Sequence, residues 1–275
     1  MKVTPLCGAL GARVEGLDLA ADISNAEFAA LHEAFLDHLV LVFPEQDLPP
    51  EAHVGFTRRF GLVEPHPLRS RRGAEGFPEV LVLENKPGQP GARNDRWHSD
   101  ITCAERPPAL SVLHALTIPG GGRGDTMFCN MYAAYDGVSA GLRALLDRLS
   151  ARHNAEWLAV RNNEPGSDGL PIQEIPPPVT HPVVRTHPES GRRALFVNPG
   201  FTIGFDGWSR AESAPLLSHL YARATAPENV YRHRWSQGDV LMWDNRCTMH
   251  YAVYDYDDSM PRLMHRTTAA GDRPS

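Results

Sequence analysis

Apolar residues recur along this chain in two rhythms, one helical and one strand-like. Between Ser24 and Leu39 they fall at Phe28, Leu31, Phe35 and Leu39, the spacing of a single helical face. Ser24 can cap that helix, and Glu27 completes a capping box with it. Val40 to Phe43 is an unbroken apolar run and predicts a short buried strand. Pro50 to Phe60 predicts a second helix, stopped at Gly61. Val80 to Glu84 and Ala109 to Leu116 predict strands. Ser139 to Leu149 predicts a helix with Leu142, Leu145, Leu146 and Leu149 inward. Later strands are expected at Ala194 to Asn198, Val230 to Trp235, Val240 to Trp243 and Leu263 to Thr268, with a helix over Ala211 to Thr225. Residues 162–178 are rich in Asn, Gly and Pro and predict a loop. In an enzyme such a segment can close over substrate, so a single domain over 1–275 with a lid or loop insertion around 155–180 is expected. Many short strands with a few helices make the chain mainly β with helices, a β-sandwich or jelly roll.

Composition changes this picture little. At 275 residues, with 42% hydrophobic and 22% charged positions, the chain is long enough for a substantial core. A net charge of -6 gives no basic footprint for nucleic acid. The run Arg69-Ser70-Arg71-Arg72 reads as a solvated loop. Cys7, Cys103, Cys129 and Cys247 form no Cys-x-x-Cys pair, which indicates neither a zinc knuckle nor a disulfide framework. Cys247 reads as a small buried hydrophobe. No apolar signal core opens the chain and no segment reaches the length of a membrane span, so the cytoplasm is the expected location, without a membrane partner.

Candidate chemistry lies in Trp97-His98-Ser99-Asp100 and, far downstream, in Trp243-Asp244-Asn245-Arg246-Cys247-Thr248-Met249-His250. Two imidazoles and one carboxylate can occupy one face of an octahedral Fe(II) and leave three positions open. Alternate residues of a strand point the same way, so His98 and Asp100 can reach one metal from one strand end while a remote strand brings in His250. Further on, Pro261-Arg262-Leu263-Met264-His265-Arg266 places Arg262 and Arg266 on one strand face. Their guanidinium forks suit carboxylates. Thr126 can add a hydroxyl to the same anion. Two other classes fit a His-Asp-His set. One is a zinc hydrolase, which leaves Arg262 and Thr126 without a role. The other is a non-catalytic jelly-roll binding module, which has no need of three intact ligands.

These residues carry a resemblance. The chain resembles the taurine dioxygenase / 2,4-dichlorophenoxyacetate dioxygenase (TauD/TfdA) family of Fe(II)- and 2-oxoglutarate-dependent oxygenases over nearly its whole length. The match runs from Gly11-Ala12-Arg13-Val14-Glu15-Gly16-Leu17-Asp18-Leu19 and Val40-Leu41-Val42-Phe43-Pro44-Glu45-Gln46 through Arg59-Phe60-Gly61, Trp97-His98-Ser99-Asp100 and Gly124-Asp125-Thr126. It continues in His181-Pro182-Val183-Val184-Arg185-Thr186-His187-Pro188, Leu195-Phe196-Val197-Asn198, Trp243-Asp244-Asn245-Arg246 and His250-Tyr251-Ala252. The resemblance implies a double-stranded β-helix, the jelly-roll, cupin-like core. It implies Fe(II) on His98, Asp100 and His250, with 2-oxoglutarate as cosubstrate and O2 as oxidant. Thr126 and Arg262 match the residues that hold the distal carboxylate of 2-oxoglutarate. Arg266, His66 and Asn94 match substrate contacts of the taurine-using members. Arg69 departs from them, standing where they have a tyrosine.

The implied reaction hydroxylates a small organic anion, taurine or a related alkylsulfonate, with succinate and CO2 as coproducts. Phenoxyalkanoate or alkylsulfate oxidation, or amino-acid hydroxylation, fits the same scaffold. The resemblance also implies a homo-oligomer, dimer or tetramer.

Overall fold

The alternation of core contacts along each central strand explains the architecture. The computed structural model describes residues 1–65, 72–88, 94–163 and 171–275. Strands β1 (Lys2–Pro5) and β2 (Ala12–Glu15) form a hairpin. Helix α1 (Asn25–His38) starts with the expected capping box, in which Ser24 and Glu27 each accept the other's backbone amide hydrogen. It stops where Leu39 turns left-handed, at φ 65°. Then follow β3 (Val40–Phe43), α2 (Pro50–Arg58), β4 (Gly73–Ala74), β5 (Phe77–Asn85), β6 (Leu110–Thr117) and β7 (Thr126–Asn130). The middle of the chain holds α3 (Met131–Asp136), α4 (Ala140–Leu146), β8 (Ser150–His153), α5 (Glu156–Asn163), β9 (Val179–Pro182), β10 (Val184–Thr186), β11 (Arg193–Leu195) and β12 (Thr202–Phe205). The last elements are α6 (Arg210–Ala224), β13 (Val230–His233), β14 (Val240–Asp244), β15 (Thr248–Ala252) and β16 (Arg262–Ala269).

One large sheet runs in the order β1-β2-β3-β14-β6-β16-β5-β4. Its pairings are antiparallel except β2 with β3. Smaller sheets, β13-β7-β15, β12-β8-β9 and β10-β11, make the opposing layer. Val40, Val42, Leu113, Leu241 and Trp243 point into the core that these smaller sheets close, together with Phe128, Ala151, Leu195 and Met249. Their neighbours Leu41, Phe43, Val112, Val240 and Met242 point the other way, against Leu31 and Phe35 of α1 and Phe56 of α2. Both faces of the large sheet are therefore buried, which is why its central strands read as continuous apolar runs. The layered, mostly β architecture agrees with the jelly roll expected from the sequence.

One local expectation changes, and one segment gains a helix. Helix α4 ends at Leu146 rather than Leu149, and Leu145 is 42% exposed while Leu146 is fully buried. Adjacent helical positions lie about 100° apart, so a two-turn helix cannot bury both. Residues 156–163, within the stretch expected to be a lid, form α5. Asn154 starts that helix by accepting the Glu156 amide hydrogen at 3.1 Å. Leu158 and Ala159 then pack with Ile101, Cys103, Ile172 and Phe201 in a small separate core. The short apolar run Trp157 to Val160 carries little helical periodicity, and the loop-forming residues after it dominate the sequence signal. No helix among the described residues is long and apolar enough to cross a membrane.

Candidate active site

His98 and His250 are brought together by backbone, not by sequence spacing. His98 donates its amide hydrogen to the His250 carbonyl at 3.0 Å, and His250 returns the bond at 2.7 Å. Residues bonded reciprocally across an antiparallel pair project to the same side. The two imidazoles accordingly sit 4.1 Å apart, centroid to centroid. His250 lies in β15, registered on Phe128 of β7. His98 has only this isolated bridge, and Asp100 sits in a turn rather than on the strand end the His-x-Asp spacing predicts. The sharp bend comes at Ile101, a β-branched residue at φ 49°. Ser99 pins the bend by donating its hydroxyl to the carbonyls of Asn245, at 3.0 Å, and Thr248.

The result is a buried three-donor cluster. Donor atoms of His98, Asp100 and His250 all lie within 4.8 Å of one another. Asp100 Oδ1 is 4.0 Å from His98 Nε2 and 3.8 Å from His250 Nε2. The Arg96 carbonyl lies 2.7 Å from His98 Nδ1 and accepts its proton, so the Nε2 lone pair faces the cluster. Burial pushes both histidines below their ordinary pKa and keeps them neutral, the form that binds metal. Burial alone would raise Asp100; Arg266, His250, His98 and the Ser111 hydroxyl outweigh it and hold the carboxyl well below the usual range. Two neutral imidazoles and an ionised carboxylate fit a divalent metal.

Arg266 is the nearest cation. Its NH1 donates to Asp100 Oδ1 at 2.8 Å, and both groups are buried. Arg266 Nε is buried without a hydrogen-bond partner among the described residues. Beside the cluster opens a small cavity lined by Thr126, Trp243, His250, Tyr256, Arg262 and Arg266. Both arginines on β16 therefore reach one space, as their spacing predicts. Thr126 Oγ1 accepts from Trp235 Nε1 at 3.0 Å. That leaves the Thr126 hydroxyl proton to donate elsewhere.

A second recess beside the cluster is formed by α5 and the loop before β12. Asn94, Trp157, Leu158, Arg161, Phe201 and Arg266 line it around His98 and Asp100. Arg161 donates to Asn94 and stacks 5.4 Å over the Trp157 ring, one helical turn earlier. Sequence reasoning gave Arg161 and Trp157 no role, although their four-residue spacing inside the insertion was readable. Gly200 backs His98 closely: a Cβ there would lie 2.8 Å from His98 Cβ. His66 and Arg69 lie outside the described residues.

A second group, His187, Asp244 and Cys247, also brings its donor atoms within 4.8 Å. Arg246 takes both Asp244 oxygens, Nε to Oδ1 at 2.9 Å and NH2 to Oδ2 at 2.7 Å. His187 accepts the Glu189 and Ser190 amide hydrogens on Nδ1 and so donates Nε2–H to Asp244 Oδ2 at 3.0 Å. Burial drives the Cys247 thiol well up, keeping it protonated. This is a saturated ion-pair network that anchors the Trp-Asp-Asn-Arg segment, not a metal site.

The family model "Taurine catabolism dioxygenase TauD, TfdA family" matches residues 2–268. An α-ketoglutarate-dependent sulfate ester dioxygenase from Pseudomonas putida is 36% identical, over 100% of this chain and 91% of that protein. An α-ketoglutarate-dependent 2,4-dichlorophenoxyacetate dioxygenase from Cupriavidus pinatubonensis is 35% identical, over 98% of this chain and 97% of its own. The crystal structure of a taurine dioxygenase from Burkholderia xenovorans superposes with a TM-score of 0.84 at 36% identity, covering 99% of this chain and 92% of that one. With a model matched over almost every residue and relatives above 30% identity end to end, the chain belongs to the TauD/TfdA family of α-ketoglutarate-dependent dioxygenases.

Proposed function

We propose that this enzyme uses Fe(II), 2-oxoglutarate and O2 to hydroxylate a small organic anion, an alkylsulfonate such as taurine or an alkyl sulfate ester, at the carbon next to the heteroatom. The single observation that carries this reading is the contiguity of the His98-Asp100-His250 cluster with a cavity bearing Thr126, Arg262 and Arg266. When bound, Fe(II) with 2-oxoglutarate and O2 supplies the oxidising power that turns a C–H bond into C–OH and yields succinate and CO2. The chain's own contribution is positioning and exclusion of water.

His98, Asp100 and His250 hold the metal. Thr126 and Arg262 hold the distal carboxylate of 2-oxoglutarate, the hydroxyl proton and the guanidinium fork both meeting its oxygens. Arg266, Arg161 and Asn94 surround the substrate's anionic head, while Leu81, Leu83, Trp157 and Phe201 meet its carbon body. Hydroxylation next to an ester or sulfonate heteroatom gives a product that collapses to a carbonyl compound and the free anion. The aromatic and aliphatic wall also favours a second reading, a phenoxyalkanoate, whose ring would lie against Trp157 and Phe201.

Succinate formation with added Fe(II) and ascorbate tests this, run across taurine, longer alkylsulfonates, alkyl sulfates, phenoxyacetates, phenoxypropionates and amino acids. Stimulation by alkylsulfonates or alkyl sulfates supports the first reading, and by phenoxy acids the second. Stimulation by amino acids alone overturns both.

A further inference from the structure

We infer that Ser111 and Asn245 are positioning residues that hold Asp100 by its outer oxygen, so that a metal on the cluster meets Oδ1 alone. The inference rests on the metal-binding reading of the His98-Asp100-His250 cluster.

Donor capacity fixes the direction of every bond in the chain of contacts behind Asp100. The indole Nε1–H of Trp243 can only donate, and it does so to Asn245 Oδ1 at 2.9 Å. The Asp100 amide donates to the same oxygen at 3.4 Å. With its oxygen thus engaged, Asn245 turns its Nδ2 towards Ser111 and donates to the hydroxyl at 2.9 Å. Ser111 has one proton, and Asp100 Oδ2 accepts it at 2.7 Å. Trp243, Asn245, Ser111 and Asp100 are all buried, so no bulk water competes for these bonds. Asp100 Oδ2 is thereby held by Ser111, while Oδ1, which also accepts from Arg266 NH1 at 2.8 Å, is the oxygen within 4.0 Å of both imidazole Nε2 atoms.

The consequence concerns open coordination positions. A metal held by three protein donors would keep open positions that the cosubstrate and O2 would need. A carboxylate free to swing and chelate with both oxygens would fill one of them. Ser111 removes that freedom, and Asn245, fixed by an indole that cannot reverse its role, keeps the serine proton aimed. The Trp-Asp-Asn-Arg motif thus acts on both sides of its strand: Asp244 and Arg246 anchor it, while Trp243 and Asn245 reach towards the metal ligand.

The test uses Co(II) as probe on the full chain, in wild type, Ser111→Ala, Ser111→Thr and Asn245→Asp. Visible absorption reports coordination number, and titration gives affinity. Ser111→Ala is expected to lose about 10- to 100-fold in Co(II) affinity, the usual cost of removing an outer partner, and to shift its spectrum towards higher coordination. Ser111→Thr keeps the hydroxyl and restores both. Asn245→Asp offers the serine proton a competing carboxylate and shifts the spectrum in the same direction as Ser111→Ala. Identical affinity and spectrum in wild type and Ser111→Ala overturn the proposal. Infrared difference spectra of wild type with and without Co(II) decide it even where a variant fails to fold. Widely split carboxylate bands mark one-oxygen binding and support it; closely spaced bands mark two-oxygen binding and overturn it. Wild type that binds no Co(II) instead removes the metal-binding reading itself.

Discussion

His98 and His250 exchange two backbone hydrogen bonds, at 3.0 and 2.7 Å, although 152 positions separate them in the chain. Neither bond involves a side chain. Removal of either imidazole should therefore leave the scaffold standing. His250→Ala is expected to keep the wild-type circular dichroism spectrum and a closely similar melting temperature, while losing metal and succinate formation to background. A collapsed fold would show that the ring itself holds the two segments together.

Arg266 gives Asp100 its nearest side-chain countercharge, 2.8 Å away. Breaking a buried ion pair by removing one partner costs about 3–5 kcal/mol. Arg266→Ala should destabilise the metal-free enzyme by roughly this amount in urea unfolding. A divalent ion on the cluster then supplies the missing positive charge, so saturating Co(II) or Ni(II) should recover more stability in the variant than in wild type. Equal stabilisation of both proteins would mean that Arg266 does not act on the carboxylate.

Gly200 lies so close to His98 that an added Cβ would fall 2.8 Å from His98 Cβ, with Trp157 behind it at 3.4 Å. Gly200→Ala must push the imidazole out of place. Affinity for Co(II) should drop by about tenfold or more, in line with effects on ligand orientation. Circular dichroism should stay at wild type. Unchanged affinity would show that this loop gives way instead.

On the substrate side, Arg161 and Asn94 act as one unit. A hydrogen bond to a charged group is worth about 1.5–3 kcal/mol, so Arg161→Ala should raise KM for the anionic substrate roughly 10- to 100-fold. KM for 2-oxoglutarate, which the proposal assigns to Thr126 and Arg262, should hardly change. A matching rise in both would place Arg161 in general architecture rather than in substrate recognition.

Much of this is legible in the sequence. The capping box at Ser24, the strand at Val40 to Phe43 and the two arginines of β16 follow from local rules of spacing and side-chain chemistry, and the structure agrees with them. The pairing of His98 with His250 was not legible in the same way. The His-x-Asp spacing suggested a strand end, whereas Asp100 occupies a turn that only the contact with β15 explains. Ser111 was hidden because a serine within an apolar run reads as an ordinary strand position until its cross-strand partners are known. Leu145 was misassigned because four leucines in ten residues exceed what one short helical face can bury.

Acid should weaken the fold through its buried histidines. His53 is fully buried, donates Nε2–H to the Val112 carbonyl at 3.1 Å, and is pushed down to about 3 by burial and by nearby His114. It stays neutral when folded, whereas the unfolded chain takes up a proton near pH 6.5. Between about pH 6.5 and 3 the unfolded state binds more protons, so stability falls as pH drops through that window and levels off below it. His53→Gln keeps a donor for Val112 without titrating. Urea midpoints measured from pH 7 to 4 should decline less steeply for that variant, and parallel curves would assign the acid sensitivity to other groups.

Strand β16 lies between β6 and β5, deep within the large sheet, although it is the last strand in chain order. During synthesis, a chain grown as far as His250 already carries all three donors, yet has neither Arg262 nor Arg266. Its sheet is still divided where β16 belongs. If Arg262 holds the cosubstrate as proposed, its binding waits for this strand to thread between its neighbours. On that reading the three donors can assemble on a half-built chain, but the anion-binding side of the site is made only when β16 closes the sheet.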